Sequence, residues 1–219
     1  MAANRVESLV KWYVRHNGYF TIPNFTVHPD TKKGREAEAD FIAVRFPFSE
    51  EQAGQYEFER HDDLIVEDAI DFLLVEVKSS ECVLNDTWTD PKRHNIDYAL
   101  LWIGDLPKKQ VGGIASKLYD KGTVDYKHTE DGKKRSVRLV SIGRYIGEES
   151  KNQKENMPNI LQIELLEVVS FVKNRLMLGS AKPHRENWDS YIQDFALLAK
   201  LDVDIKILLQ WTLGKTVGL

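Results

Sequence analysis

The run Phe72-Leu73-Leu74-Val75-Glu76-Val77-Lys78 constrains the chain more than any other segment. It is apolar on both faces of the alternating pattern, as a central strand covered by helices on each side is. Yet it holds an acid and a base. Alternate residues of a strand share a face, so Glu76 and Lys78 project together, about 7 Å apart along the chain. Charges in an apolar run are costly unless they pair with each other or face a cation and water. The triplet acid-x-Lys means little alone, because it occurs seven times in the sequence. Only 76/78 lies in a strongly apolar strand, and 125/127 is the next best placed.

The rest of the chain sets that strand in an α/β domain. Val6, Leu9, Val10, Tyr13 and Val14 recur at helical spacing, and Asn17-Gly18 closes the helix. Tyr19–Ile22 reads as a strand stopped by Pro23-Asn24, and Ala39–Phe46 as a second strand closed by Pro47. Residues 47–71 are polar and acidic, and read as an insertion or an extended hairpin. Asp90-Pro91 opens a helical pattern through Ile96, Ala99, Leu100 and Ile103, with proline in the first turn. Further elements are a helix over 110–119, strands at 124–126 and 137–142, a surface loop at 147–156, and a helical part over 160–219 that starts with a short strand. The alternation predicts one domain over 1–219, a central mixed β-sheet flanked by helices.

Charge and composition narrow the function classes. The net charge is −4, so bulk electrostatics does not favour nucleic-acid binding. The distribution is uneven: residues 36–76 carry thirteen acids against two bases, and 107–144 carry ten bases against four acids. That order suits a cation site beside a phosphate-contacting surface, though two solvated faces read as well. Cys82 is the only cysteine, which excludes an internal disulfide and a multi-cysteine metal site and suggests a small buried thiol. The six histidines show no close metal-ligand spacing, and no phosphate loop, dinucleotide fingerprint or Gly-x-Ser-x-Gly elbow is present. No stretch approaches the ~20 apolar residues of a membrane span. The first eight residues lack a signal-like apolar segment. A cytoplasmic protein without membrane association is expected.

A second charge in an apolar setting is Asp40, between Ala39 and Phe41. If the two strands pair, Asp40 and Glu76 converge at one sheet edge and offer two hard oxygen ligands for Mg2+, with Mn2+ as a substitute. Lys78 would then sit beside a metal-bound water, an arrangement suited to phosphodiester hydrolysis. The plainer alternative is a buried Glu–Lys pair beside an ordinary turn aspartate.

Gly34-Arg35-Glu36-Ala37-Glu38-Ala39-Asp40-Phe41-Ile42-Ala43, followed by Phe72-Leu73-Leu74-Val75-Glu76-Val77-Lys78-Ser79, resembles the PD-(D/E)xK nuclease superfamily, which includes restriction endonucleases and Holliday-junction resolvases. The resemblance covers roughly residues 4–104. It implies a restriction-endonuclease-like fold and an Mg2+-dependent endonuclease acting on nucleic acid, DNA in preference to RNA. It maps the metal-binding acids onto Asp40 and Glu76, joined by the carbonyl of Val77, and the catalytic lysine onto Lys78. Glu7, in Val6-Glu7-Ser8-Leu9-Val10, matches a first-helix glutamate that completes the site in several branches. Phosphate contacts are expected from Lys92 and Arg93 at a helix start, and from Lys133, Lys134 and Arg135 at a turn. The alternative is a non-catalytic nucleic-acid- or protein-binding subunit that retains the fold. Trp188, Phe195, Ile205, Leu208, Leu209 and Trp211 give the last helices an apolar stripe, from which a homodimer is expected.

Overall fold

The computed structural model describes residues 5–27, 37–47, 49, 60–178 and 189–214. Six strands form a mixed sheet: β1 (Phe20–Val27), β2 (Ala37–Arg45), β3 (Ala69–Val77), β4 (Thr123–Lys127), β5 (Lys134–Gly143) and β6 (Leu161–Glu164). Their order is β1-β2-β3-β5-β4, and β6 also pairs with β5. β1, β2 and β3 form an antiparallel run, whereas β3 and β5 are parallel. β5 serves two neighbours on its far side, β4 along residues 134–138 and β6 along 140–143.

Helices cover both faces, as the apolar strand requires. α1 (Arg5–His16), α6 (Leu165–Leu178), α7 (Ser190–Lys200) and α8 (Ile205–Thr212) pack on one face. Their core takes in Leu73 and Val75 of β3 with Val140 and Ile142 of β5. α3 (Asn95–Ile103) and α4 (Lys108–Lys121) build the other core over Phe72, Leu74, Val137 and Leu139. Strict alternation along β3 thus feeds two cores from one strand, and each fully buried leucine contributes about 1.5–3 kcal/mol. The α/β class with a central mixed sheet and flanking helices is what the sequence predicted. Among the described residues, no helix is long and apolar enough to cross a membrane.

Several local expectations change. β1 runs through Pro23-Asn24 instead of stopping there. Among the described residues it is an edge strand paired only with β2, where proline's missing donor removes no ladder bond on the open side, and Asn24 adopts a left-handed φ of 51°. The expected loop at 147–156 contains a helix, α5 (Glu148–Asn156). Its polar residues are good helix formers, and tertiary bonds hold it. Glu81 accepts from the N–H and hydroxyl of Ser150, and Gln153 bonds both backbone groups of Leu84. Asp90-Pro91 opens only a short 3-10 turn, Pro91–Arg93. His94 then enters the left-handed region, and α3 starts at Asn95. β3 begins at Ala69, inside the segment read as an insertion, and that segment also holds a 3-10 turn at Asp62–Leu64.

The C-terminal apolar stripe enters the core of this chain. Phe195 and Leu208 are fully buried, and Ile205, Leu209 and Trp211 pack against the same cluster. Trp188 lies outside the described residues.

The charge-rich stretches are not simply solvated. Asp71 is completely buried, and Arg138 binds it through Nε at 3.1 Å and through Nη2. Tyr19 donates its hydroxyl to the same carboxylate, and Arg45, 1 % exposed, stands 4.0 Å away over the Tyr19 ring. This network joins β2, β3 and β5 to the residue just before β1 at one end of the sheet.

Candidate active site

At the other end of β3 the strands part. The last backbone pair of the β2–β3 ladder is Phe41 with Val75, and the same register would put Asp40 opposite Glu76. Instead the Asp40 side chain takes over: Val77 donates its N–H to Asp40 Oδ2 at 2.7 Å. On the other side of β3, the Lys78 N–H donates to Ile142 of β5 at 2.8 Å. The central strand is therefore held on both sides as it delivers Glu76 and Lys78 to the sheet edge.

Glu76 is buried, and its carboxylate is crowded with donors. Lys78 Nζ lies 2.6 Å from Glu76 Oε1. Asn85 donates its side-chain amide to the same oxygen, and its backbone N–H reaches Oε2 at 3.4 Å. Lys78 also donates to Asn85 Oδ1 at 2.6 Å, so the three side chains form a closed triangle. Asn85 stands just before the one-turn helix α2 (Asp86–Thr89). Sequence reading missed it. Its position, seven residues past Lys78 and next to a helix start, was the only available signal, and in sequence an asparagine there reads as an ordinary cap, although its side chain makes no cap hydrogen bond.

Asp40 is half-buried, and burial pushes its carboxyl up to about 6, against the Val77 N–H, which favours the charged form. The negative charges of Glu7 and Glu76 push the same way, and Lys78 opposes them. Burial likewise raises Glu76, offset by Lys78 and Asn85. Three carboxylates thus share one field with a single lysine, an excess of negative charge that a hard divalent cation would neutralise. Asp40 and Glu76 fit that role, and Glu7, on the first turn of α1, approaches near enough to be felt by Asp40. Glu7, Asp40 and Glu76 are not drawn into a tight trio, however. The one described set of three ligand atoms within 4.8 Å of one another is His61, Asp63 and Glu167.

The basic residues divide. Lys92, Lys133 and Lys134 are exposed, and Arg93 is half-buried and pairs with Asp90 at 3.5 Å. The expectation for Arg135 is corrected: it is 4 % exposed, with Nε 3.0 Å from both oxygens of Asp105 and Nη2 3.0 Å from Asp131. Its guanidinium ties the β4–β5 hairpin to Asp105 before α4, and it is held by these carboxylates rather than displayed on the surface. Cys82 is the small buried thiol expected, donating to the Ile163 carbonyl at 3.3 Å, with burial pushing it up to about 12.

Comparison with protein-family models, with curated proteins and with solved structures finds no match to this chain.

Proposed function

We propose that the chain is a metal-dependent nuclease that hydrolyses phosphodiester bonds in nucleic acid, with DNA as its substrate. The observation that carries this reading is the opening between β2 and β3, where Asp40 replaces a backbone partner beside Glu76 and Lys78. The resemblance of residues 34–43 and 72–79 to the PD-(D/E)xK nucleases supports it from the sequence. Asp40, Glu76 and the Val77 carbonyl would hold Mg2+ or Mn2+. When bound, the ion polarises the phosphate and lowers the pKa of water.

The protein's own groups do the rest. Asn85 fixes the Lys78 ammonium, which is placed to orient the attacking water or to donate to a phosphate oxygen. Glu7 adds a carboxylate that can accept a hydrogen bond from that water. Lys92, Lys133 and Lys134 are the exposed cations that could meet the backbone phosphates of a longer substrate.

One observation favours a second reading. Lys78 already satisfies both Glu76 and Asn85, so the triangle would serve equally as a structural pair in a non-catalytic binding subunit. A cleavage assay separates the two. Under the nuclease reading, purified protein cuts DNA with Mg2+ or Mn2+ and stops on adding EDTA, and Ca2+ supports binding with little cutting. Lys78→Ala removes most activity, whereas Lys127→Ala, on the next-best acid-x-Lys strand, leaves it intact. Undiminished cutting of DNA and RNA by Lys78→Ala would overturn the role of this lysine. If neither protein cuts any substrate, the binding-subunit reading takes over.

A further inference from the structure

Six residues beyond Glu7 on α1, Tyr13 faces a different group of ligand-bearing side chains. His61 and Asp63 lie at the turn that leads toward β3, and Glu167 stands in the first turn of α6. One ligand atom from each lies within 4.8 Å of the others. His61 Nε2 is 3.8 Å from Glu167 Oε2, and Nδ1 is 3.9 Å from Asp63 Oδ2. These gaps are too long for hydrogen bonds. The two distances start from different ring nitrogens, only one of which can ligate a given ion, so the spacing that bears on a shared ion is the 4.8 Å limit within which one atom of each residue lies. Ligands bound at about 2.1 Å in a tetrahedron stand roughly 3.4 Å apart, so the three would close in slightly on binding. His61 Nδ1 is shielded from solvent and has no hydrogen-bond partner among the described residues. The ring is nevertheless held in place. Its backbone N–H donates to Asn17 Oδ1 at 2.8 Å, and its edges meet the Tyr13 and Phe171 rings at 5.6 and 6.0 Å.

The second observation is the Tyr13 hydroxyl. Tyr13 is 0 % exposed, and its hydroxyl finds no hydrogen-bond partner among the described residues. The charges that bear on that hydroxyl most are Asp63 and Glu167. A buried hydroxyl left unsatisfied is unfavourable, and a water held between it and the carboxylates would remove that penalty.

We propose that His61, Asp63 and Glu167 bind one divalent transition-metal ion, with the Tyr13 hydroxyl donating to a water on that ion. One imidazole nitrogen and two carboxylate oxygens suit Zn2+, and the water completes four ligands. The two carboxylates balance the charge of the ion. Bound there, it fastens the turn before β3 to α6, a clip between two elements far apart in sequence. The site shares no residue with the Asp40–Glu76 cleft, so it stands whether or not the chain cuts nucleic acid.

The test is calorimetric titration of Zn2+ into the full chain, with excess Mg2+ present to occupy hard-oxygen sites. The expected result is one Zn2+ per chain and a higher melting temperature, with Co2+ giving the visible absorption of a four-coordinate site. Glu167→Gln should weaken binding by more than the ~10–100-fold typical of losing an outer-shell partner, and Tyr13→Phe by about tenfold. Asp40→Asn should leave Zn2+ affinity unchanged. Absence of saturable Zn2+ binding would overturn the proposal, and is the outcome if a protonated His61 merely pairs with the two carboxylates. So would binding that Glu167→Gln and His61→Ala leave intact, or that Asp40→Asn abolishes. If His61→Ala proves misfolded by circular dichroism, the half-exposed Glu167→Gln and the near-isosteric Tyr13→Phe decide the matter.

Discussion

The Asp40 carboxylate accepts the Val77 N–H one register step past the last backbone pair of β2 and β3. A side chain thereby does the work of a main-chain acceptor. Val77 keeps its hydrogen bond while the two strands separate, and the separation leaves room for charged groups at this end of the sheet. The same bond fixes where the Asp40 carboxylate points.

Asp40 makes stability depend on pH. Its folded pKa, about 6, lies above the ordinary 3.8, so in that window the folded chain holds a proton that the unfolded chain has released. The stabilising contribution is full below about pH 4 and is lost as pH rises through about 6. Asp40→Asn should therefore be more stable than the parent well above pH 6, by about 1 kcal/mol once partial exposure is discounted, or about 2–4 °C in melting temperature. Thermal melts across the pH range check this. The difference should vanish in acid, and a constant offset at every pH would contradict it.

If Asp40 and Glu76 hold Mg2+ as proposed, the ion should act unequally on the two proteins. A ligand that binds only the folded state raises the parent's melting temperature, by an amount that grows with the logarithm of its concentration. Asp40→Asn lacks one ligand charge and should respond weakly. Scanning calorimetry with and without EDTA measures both, and equal responses would place the ion elsewhere.

Under the proposed nuclease reading, Asn85→Ala should reduce DNA cleavage about 10–100-fold with little change in melting temperature, since it frees Lys78 and Glu76 from their shared partner. The loss should appear in kcat rather than KM, because Asn85 positions the reacting groups. Steady-state kinetics on one duplex decides it. Full activity would show that Lys78 needs no such support.

Asp71→Asn should be strongly destabilising. It leaves the Arg138 guanidinium buried against a neutral amide beside Arg45, and breaking a buried pair typically costs about 3–5 kcal/mol. Urea denaturation should show the midpoint drop with the slope preserved. A change below about 1 kcal/mol would mean that water reaches the network.

Much of this architecture is legible in the sequence because periodicity is a local signal. β3 could be read from its two-sided apolarity, and α1 and α4 from their spacing. Asp40, Glu76 and Lys78 stood out because charges inside apolar strands are rare. The rest depended on tertiary contacts that no local pattern encodes. α5 has no apolar stripe and is secured by Glu81 and Leu84, which lie far upstream. Asp71, Arg45 and Arg138 looked like surface charges until the fold brought them together. Arg135 was misplaced for the same reason, since Asp105 and Asp131 claim it only after the β4–β5 hairpin closes. Asn85 reaches Glu76 through a loop whose path the sequence does not specify.

The parallel pairing of β3 with β5 also sets an order of events during synthesis. Strand β3 leaves the ribosome before β5, with β2 beside it, and its other edge stays open until the α3–α4 crossover and β5 have emerged. Contacts that close so long a loop form slowly. Until they do, the nascent chain exposes an apolar strand with an unpaired edge, the kind of surface that chaperones hold and aggregates recruit.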